Sequence, residues 1–407
     1  MDEYNEYDIV EIFKQLEFDL VSSMSRTIKR HLKEEEIQEL NWSQWQSEML
    51  KGLSEYRARN AAIVGQYDER VIRALEVLLV TNYTTEALTK ERIILKDIVK
   101  GAKVDPTKEI KETLKNIKGK DTIEKVKNVI NLDGTFFKVN DRKLNALIKE
   151  SKEPIQEVTK SILRYQDDIY RQVIYKAQVY ANVGAKTIEQ CVDMASKEFL
   201  QRGITNIVYK DGKKVNIVSY AELCIRNSNK KARLVGQGEV MNQWGEYLAL
   251  ISQHSGCCSK YCLNWQGKVV VDDVYANGKD DGKHPLLSTA ISQGLYHPNC
   301  KHSHSIFFEG INKPPKPIDT EKNNFHYKQE QKQRYLERKV REKERLMLGS
   351  VDETNKNKYK QEWKKAKSEL SGFVKENGNL LQRQYWRESS IINKYKPIDE
   401  IKELKGE

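Results

Sequence analysis

Proline is scarce in this chain and confined to a few places. The eight prolines are Pro106, Pro154, Pro285, Pro298, Pro314, Pro315, Pro317 and Pro397, and none falls in 1–105, 155–284 or 318–396. A proline inside a helix removes a backbone donor and clashes with the preceding turn. Three long stretches are therefore free to run as unbroken helix. Hydrophobic residues make up 38% of the chain and charged residues 32%, a balance that suits helices with one apolar stripe and a wide solvated face. At 407 residues the chain has the length of two or three domains and can bury a proper core.

Periodicity places the helices. Ile9, Phe13, Leu16, Leu20, Met24, Ile28 and His31 recur at three- and four-residue spacing over 4–32, and Trp42, Trp45, Met49, Leu53 and Tyr56 continue the period. Arg26, Lys29 and Arg30 lie off that stripe, on what reads as a solvated face. Residues 100–152 are lysine-rich and less regular. There Asp133-Gly134 marks a turn before Phe136 and Phe137, a short strand or a loop anchor. A second long helix is predicted to start after Pro154, because proline suits the first helical turn. Ile155, Val158, Ile162, Tyr165, Ile169, Val173, Ala177 and Tyr180 would form its buried face and Gly184 its stop.

The pattern changes after about residue 186. A shorter helix over 187–201 should end at Gly203. Ile207, Tyr209, Val215 and Ile217 then alternate across Lys210-Asp211-Gly212-Lys213, which predicts a hairpin. Ser219-Tyr220-Ala221-Glu222 has the form of a capping box and should open a helix. Beyond Pro317 the chain turns helical again, with Leu336, Val340 and Met347 at helical spacing, Glu337 and Arg341 placed to pair, and 358–387 as a second arm. The predicted fold class is mainly α with a small α+β domain. Residues 1–185 form an N-terminal helical domain of long amphipathic helices, 186–312 an α+β domain with a β-hairpin and a Cys/His cluster, and 313–407 a charged helical C-terminal region.

The segment His254–His304 is chemically dense. It holds four of the six cysteines (Cys257, Cys258, Cys262, Cys300) and five of the seven histidines (His254, His284, His297, His302, His304). Thiolates and imidazoles gathered this closely suit zinc. The strongest sub-pattern is Cys258-x3-Cys262 followed, after a long connection, by Cys300-x-His302. Cys258, Cys262, Cys300 and His302 are thus the expected ligands of one structural zinc, with His254, Cys257 and His297 as competitors. Four protein ligands would saturate the tetrahedron and leave no position for water. The alternative is a packed His297-Pro298-Asn299-Cys300 turn with buried, free thiols. Cys191 and Cys224 read as small core residues.

A catalytic reading finds little support. Asp272, Asp273, Asp280 and Asp281 could furnish carboxylates, but they sit in a Gly- and Asp-rich stretch that reads as a surface loop. Cys300 with His302 has no identifiable third group, no phosphate-cradling glycine loop is present, and Gly236-Gln237-Gly238-Glu239 is too short a match to be one. No catalytic residue and no cofactor other than zinc is expected. The net charge is +11, from 70 Lys+Arg against 59 Asp+Glu. A solvated basic surface is the first reading of this excess, and non-specific contact with duplex DNA, including through Arg334, Arg338, Lys339, Arg341 and Lys343, the second. No apolar run approaches the roughly 18 residues needed to span a bilayer. The acidic start, Met1-Asp2-Glu3, lacks the basic region of a secretory signal, so assembly in a reducing cytoplasm is expected.

Several of these residues resemble the phage minor capsid protein 2 family. They are Ser219-Tyr220-Ala221-Glu222 with Arg226, Gly236-x-Gly238-Glu239, Trp244-Gly245, Trp265-Gln266-Gly267-Lys268-Val269 and, most specifically, Gly294-Leu295-Tyr296-His297-Pro298-Asn299-Cys300-Lys301-His302-Ser303. The stretch Gln331–Arg338 is similar to the helical end of that family, and the resemblance is firmest over 206–345. The family is in turn similar to head-morphogenesis proteins sharing a His-Pro-x-Cys signature, some with a second cysteine where this chain has His302. The resemblance implies a virion protein of a tailed bacteriophage, inside the head or at the portal vertex and assembled in the host cytoplasm. The portal and major capsid proteins would be its partners, and head assembly, DNA packaging or DNA delivery its role. An internal DNA-binding protein and, further off, a metal-dependent nuclease or toxin-like enzyme are the competing readings.

Overall fold

The computed structural model describes residues 6–38, 47, 49–132, 134–183, 187–205, 207–208, 212, 214–258 and 260–388. Their elements in chain order are α1 (Glu6–Gln38), α2 (Leu53–Val99), α3 (Lys108–Lys115), α4 (Thr122–Asn131), α5 (Asp141–Val183), α6 (Ile188–Arg202), β1 (Ile207–Val208), β2 (Lys214–Val215), α7 (Ile217–Trp244), β3 (Leu248–Ile251), β4 (Val269–Val271), α8 (Leu287–Ser292), β5 (His304–Ile306), α9 (Thr320–Gly349), α10 (Glu353–Glu376) and α11 (Tyr385–Glu388). Helix dominates and the strands are few and short, as the proline spacing predicts. No helix among the described residues is long and apolar enough to cross a membrane.

The chain folds into two compact units. Unit 1 is built from the described residues of Leu75–Lys152 and Leu223–Glu330, and unit 2 from those of Tyr7–Ala74, Glu153–Glu222 and Gln331–Glu407. Neither is one stretch of chain. The partition by composition at 185 and 312 and this partition in space are two different descriptions of the molecule.

Unit 2 is helical apart from the β1–β2 hairpin. The α1 stripe is driven out of water, with Ile9, Phe13, Leu16 and Leu20 at 0% exposure and Met24 and Ile28 at 1%. Tyr56 and Tyr170 stack at 4.4 Å, and the Tyr56 hydroxyl donates to Gln166 Oε1 at 2.9 Å. Ser25 Oγ donates to the Gly349 carbonyl at 2.9 Å, across 324 residues of sequence. Asp193 on α6 accepts hydrogen bonds from Val351 N, Asp352 N and Asn355 Nδ2, and so caps the α9–α10 turn. β1 and β2 are antiparallel, with Ile207 opposite Val215. The side chains of Lys29 and His31, and Trp42, Trp45, Asp133, Gly184, Tyr209–Asp211 and Lys213 lie outside the described residues.

Three local expectations need correction. The helix expected after Pro154 begins at Asp141, and Pro154 lies inside it. Leu144 and Leu147 extend the buried face of Ile155, Val158 and Ile162, and that burial outweighs the roughly 3 kcal/mol an internal proline costs. The helix expected to open at Ser219 begins at Ile217. Asn216 is its cap, since Oδ1 accepts from Val218 N at 3.0 Å and Ser219 N at 3.4 Å while Nδ2 donates to the Arg202 carbonyl. Ile217 is therefore helical rather than part of the hairpin. Glu337 and Arg341 make no direct pair: Glu337 accepts from Gln333 Nε2, and Arg341 donates to the Arg387 carbonyl.

Unit 1 packs helices against a three-stranded antiparallel sheet, ordered β4-β3-β5. Ala249 sits opposite both Val270 and Ile306. The core gathers Ile94, Leu95 and Ile98 of α2, Val240, Met241 and Trp244 of α7, and Ala249, Ile251 and Val270 of the sheet. Phe136 is a loop anchor: its ring meets Trp244 edge-on at 5.5 Å and 86°. Glu91 accepts from Trp244 Nε1 at 3.1 Å and from Phe136 N at 3.0 Å. Gly236-x-Gly238 is helical, not a phosphate loop. A Cβ on Gly236 would meet the Tyr83 carbonyl oxygen at 2.4 Å, and one on Gly238 the Tyr275 backbone at 2.5 Å, so glycine is what lets α7 approach its neighbours.

Candidate metal centre

The turns that follow the central strand β3 and precede the edge strand β5 deliver the Cys/His residues. A compact turn follows β3, in which Cys262 N and Leu263 N both donate to the Cys258 carbonyl and Trp265 N donates to that of Cys262. The chain before β5 folds just as tightly. Cys300 N donates to the His297 carbonyl at 2.9 Å, and Tyr296 and Asn299 take left-handed φ values of 60° and 68°. That turn puts His297 and Cys300 on the same side, facing Cys262.

Among the described residues, Cys262, His297 and Cys300 form the group able to hold a metal ion, with one ligand atom from each lying within 4.8 Å of the others. The two sulfurs are 3.9 Å apart and Cys262 Sγ is 3.1 Å from His297 Nε2. Bonds of ordinary zinc length in a tetrahedron set these edges at about 3.8 Å and about 3.5 Å, so the donor set fits. The imidazole is oriented for the task. His297 Nδ1 lies 2.7 Å from the Pro298 carbonyl oxygen, which fixes the proton there and leaves the Nε2 lone pair toward sulfur.

Of the four expected ligands, Cys262 and Cys300 belong to this group. His302 stands beside it, fully buried, with Nδ1 3.4 Å from Cys300 Sγ and Nε2 3.2 Å from Gln266 Oε1. Cys258 is half-buried against the unit 1 core. His297, a competitor in the sequence, is the residue the turn brings in. The His254 ring lies tilted by 36° against that of His302, with centroids 4.3 Å apart. Cys257 is held elsewhere: Asn323 of α9 accepts from its N–H and donates to its carbonyl, and burial pushes its thiol up to about 11. Cys191 is fully buried, in accord with a core role.

The electrostatics favour a thiolate. The contact between the sulfurs holds the proton on Cys262, whose thiol is pushed far up, and leaves Cys300 well below the usual thiol range. His302 and the Lys230 ammonium add to the Cys300 effect. Lys230, on α7, also reaches the Cys300 carbonyl oxygen.

A second network adjoins the first through Lys230, whose ammonium lies 5.3 Å from the centre of the Tyr296 ring. Asp272 is not on the surface, where the sequence puts it, but fully buried, because β4 carries it inward. Its Oδ1 accepts from Tyr275 N at 2.8 Å and Val274 N at 3.2 Å. His304 Nε2 faces Asp272 Oδ2 at 3.1 Å, and Nδ1 is 2.7 Å from the Tyr296 hydroxyl. Burial alone would raise the Asp272 carboxyl, but His304 and the two backbone N–H groups more than reverse this and its pKa is lowered. Asp273 accepts from Ser288 N in the first turn of α8, while Asp280 and Asp281 are exposed loop residues. A Tyr–His–Asp chain has the order of a proton relay, but here both His304 and Asp272 are shut away from water, and the chain braces the loop after β4.

Comparison with known proteins gives one positive result. The family model described as Phage minor capsid protein 2 matches residues 138–375, a span that includes the hairpin, the sheet and the whole Cys/His segment. No curated protein and no solved structure matches the chain.

Proposed function

From the premise that the chain belongs to the phage minor capsid protein 2 family, we propose that it is a structural and assembly component of a tailed-phage head. It sits in the capsid interior or at the portal vertex, contacts the portal and major capsid proteins, and aids head morphogenesis. The observation that carries this reading is the family match over 138–375. Mass spectrometry of purified heads and proheads tests it. The protein should be found in both, and its absence from both would remove the proposal.

The Cys/His centre serves architecture in this reading. One zinc ion, held by Cys262, His297 and Cys300 with His302 as the fourth ligand, joins the turn after β3 to the turn before β5. A site closed by four protein ligands has no place for a reacting water, so the centre is structural and the protein is not an enzyme. Zinc per chain, measured on freshly purified protein, should be one. It should fall to none in Cys262→Ser and Cys300→Ser and drop in His302→Ala. A full zinc load in His302→Ala together with loss in Cys258→Ser would assign the fourth position to Cys258. Nuclease activity abolished by His297→Ala would overturn the structural reading.

A second reading, non-specific contact with the packaged duplex, is favoured by the +11 charge. Affinity should then fall steeply with salt, because each phosphate contact releases counterions.

A further inference from the structure

Unit 2 contains a cavity of about 390 Å³, and half of the residues that line it are cationic. Arg202, Lys214, Arg338, Lys339, Arg341 and Arg345 line it, and Glu342 is the acid among the lining residues. Three separate stretches contribute: the end of α6, strand β2 and successive turns of α9. Residues 338, 341, 342 and 345 recur at three- and four-residue spacing, so one face of α9 forms the floor.

Part of this charge is neutralised from behind. Arg345 donates to the Leu200 and Gln201 carbonyls and lies 3.6 Å from Glu17. Lys339 pairs with Glu369 at 2.8 Å, and Arg202 approaches Glu198 at 3.4 Å. Glu342 is shared with Lys343 at 3.7 Å. Lys214 and Arg338 are exposed and have no ion pair among the described residues. Arg341 is spent on a neutral carbonyl, that of Arg387. Burial and the neighbouring Arg345 lower it to about 10, with Glu222, Glu337 and Glu17 opposing. Lys14, buried nearby on α1, is held to about 8 by burial and by the Arg341 charge. With these acids counted, the positive charge of the wall that stays open to a ligand is that of Lys214 and Arg338.

Guanidinium groups in a concave wall suit tetrahedral oxyanions, which they grip through paired N–H groups. Exposed Tyr335 stands at the rim, 56% accessible, where an aromatic face can stack on a base or sugar beside a bound phosphate. We propose that this cavity is a phosphate-binding site, and that its source of phosphate is a nucleic-acid backbone. The nucleic-acid part rests on the second reading above and gives it a location.

The test uses the full chain and two probes, inorganic phosphate and a short duplex oligonucleotide, followed by calorimetry. Lys214→Gln with Arg338→Gln removes the two cations without an ion partner and leaves the buried ones in place. A control pair, Lys149→Gln with Lys279→Gln, makes the same charge change on unit 1. Wild-type protein should bind both probes, with phosphate displacing the duplex. The cavity pair should weaken both at least about tenfold, the scale of two charge-assisted contacts, and flatten the salt dependence of duplex binding, while the control pair should not. Phosphate binding that is lost in the cavity pair, with duplex binding unaffected, would keep the site and assign it to a free phosphate. Equal losses in the two pairs would reduce the effect to overall charge, and absence of phosphate binding by wild-type protein would end the proposal. Either result is independent of whether the protein is found in heads.

Discussion

In unit 2, packing removes Ile9, Phe13, Leu16 and Leu20 of α1 completely from water; in unit 1, no strand of the sheet exceeds four residues. A 33-residue helix satisfies its own backbone and needs only a periodic apolar face to hold it down. Three strands of three or four residues bury little, and the loops between them carry polar groups that must be matched one by one. That is where the Cys/His turn and the Asp272–His304–Tyr296 chain occur. Side-chain chemistry replaces apolar area where the elements are too short to supply it.

The sharpest way to break this contrast is to remove both thiols. Cys262→Ser with Cys300→Ser should abolish the zinc binding proposed above, a contribution on the order of 10 kcal/mol in small zinc-folded peptides. Hydrogen exchange should then show β3, β4 and β5 losing protection while α1 keeps it. Unchanged protection in the sheet would mean that the core carries it without the metal. Phe13→Ala is the reciprocal experiment. Loss of a fully buried ring should cost about 4 kcal/mol, read as a lower denaturant midpoint and faster exchange in α1, with the sheet unmoved. An equal loss in the sheet would erase the distinction between the regions.

Asp272→Asn comes next, at about 3 kcal/mol for one partner of a buried pair. It also has a pH signature. The Asp272 pKa is lowered in the folded protein, so its stabilisation is complete at neutral pH and lost as pH falls through the folded value, below about 4. The wild-type urea midpoint should drop in that window by more than the variant's. A parallel decline would show that the pair contributes nothing. The smallest effect belongs to the α7 cap: Asn216→Ala should cost about 1 kcal/mol and Ser219→Ala close to nothing. The reverse order, measured by thermal unfolding, would restore the capping box to Ser219.

Much of the helical architecture was legible, because burial follows periodicity. The α1 stripe from Ile9 to Ile28 was readable, and so were Ile155, Val158, Ile162, Val173 and Ala177 on the second face, whereas Tyr165 and Ile169 are half-buried and Tyr170 and Ile174 take the buried places there; Thr187 and Gly203 bound α6 close to where the pattern ends. Pro154 misled because a local penalty cannot reveal the Leu144 and Leu147 contacts that offset it. Ser219 misled because Asn216 competes for the same amide groups with a side chain that also reaches Arg202. At the Cys/His cluster, spacing singled out Cys258, Cys262, Cys300 and His302 with His297 as a competitor; the close group is Cys262, His297 and Cys300, and His297 is turned toward it next to two left-handed residues, Tyr296 and Asn299, that spacing does not encode. Asp272 looked like loop because its neighbours are polar; only the pairing of β4 shows that it points inward. The cationic cavity was readable as charges on α9, but not as a concavity, since β2 and the end of α6 supply the opposite wall.

The hydrogen bond from Ser25 to Gly349 has a consequence for synthesis. At roughly 10 residues per second, the first helix leaves the ribosome on the order of half a minute before the 324 intervening residues bring its acceptor out. For all that time the apolar face of α1 rides on a nascent chain that has no α9. A host chaperone, or an identical helix on the next polysome, meets α1 before its own α9 does.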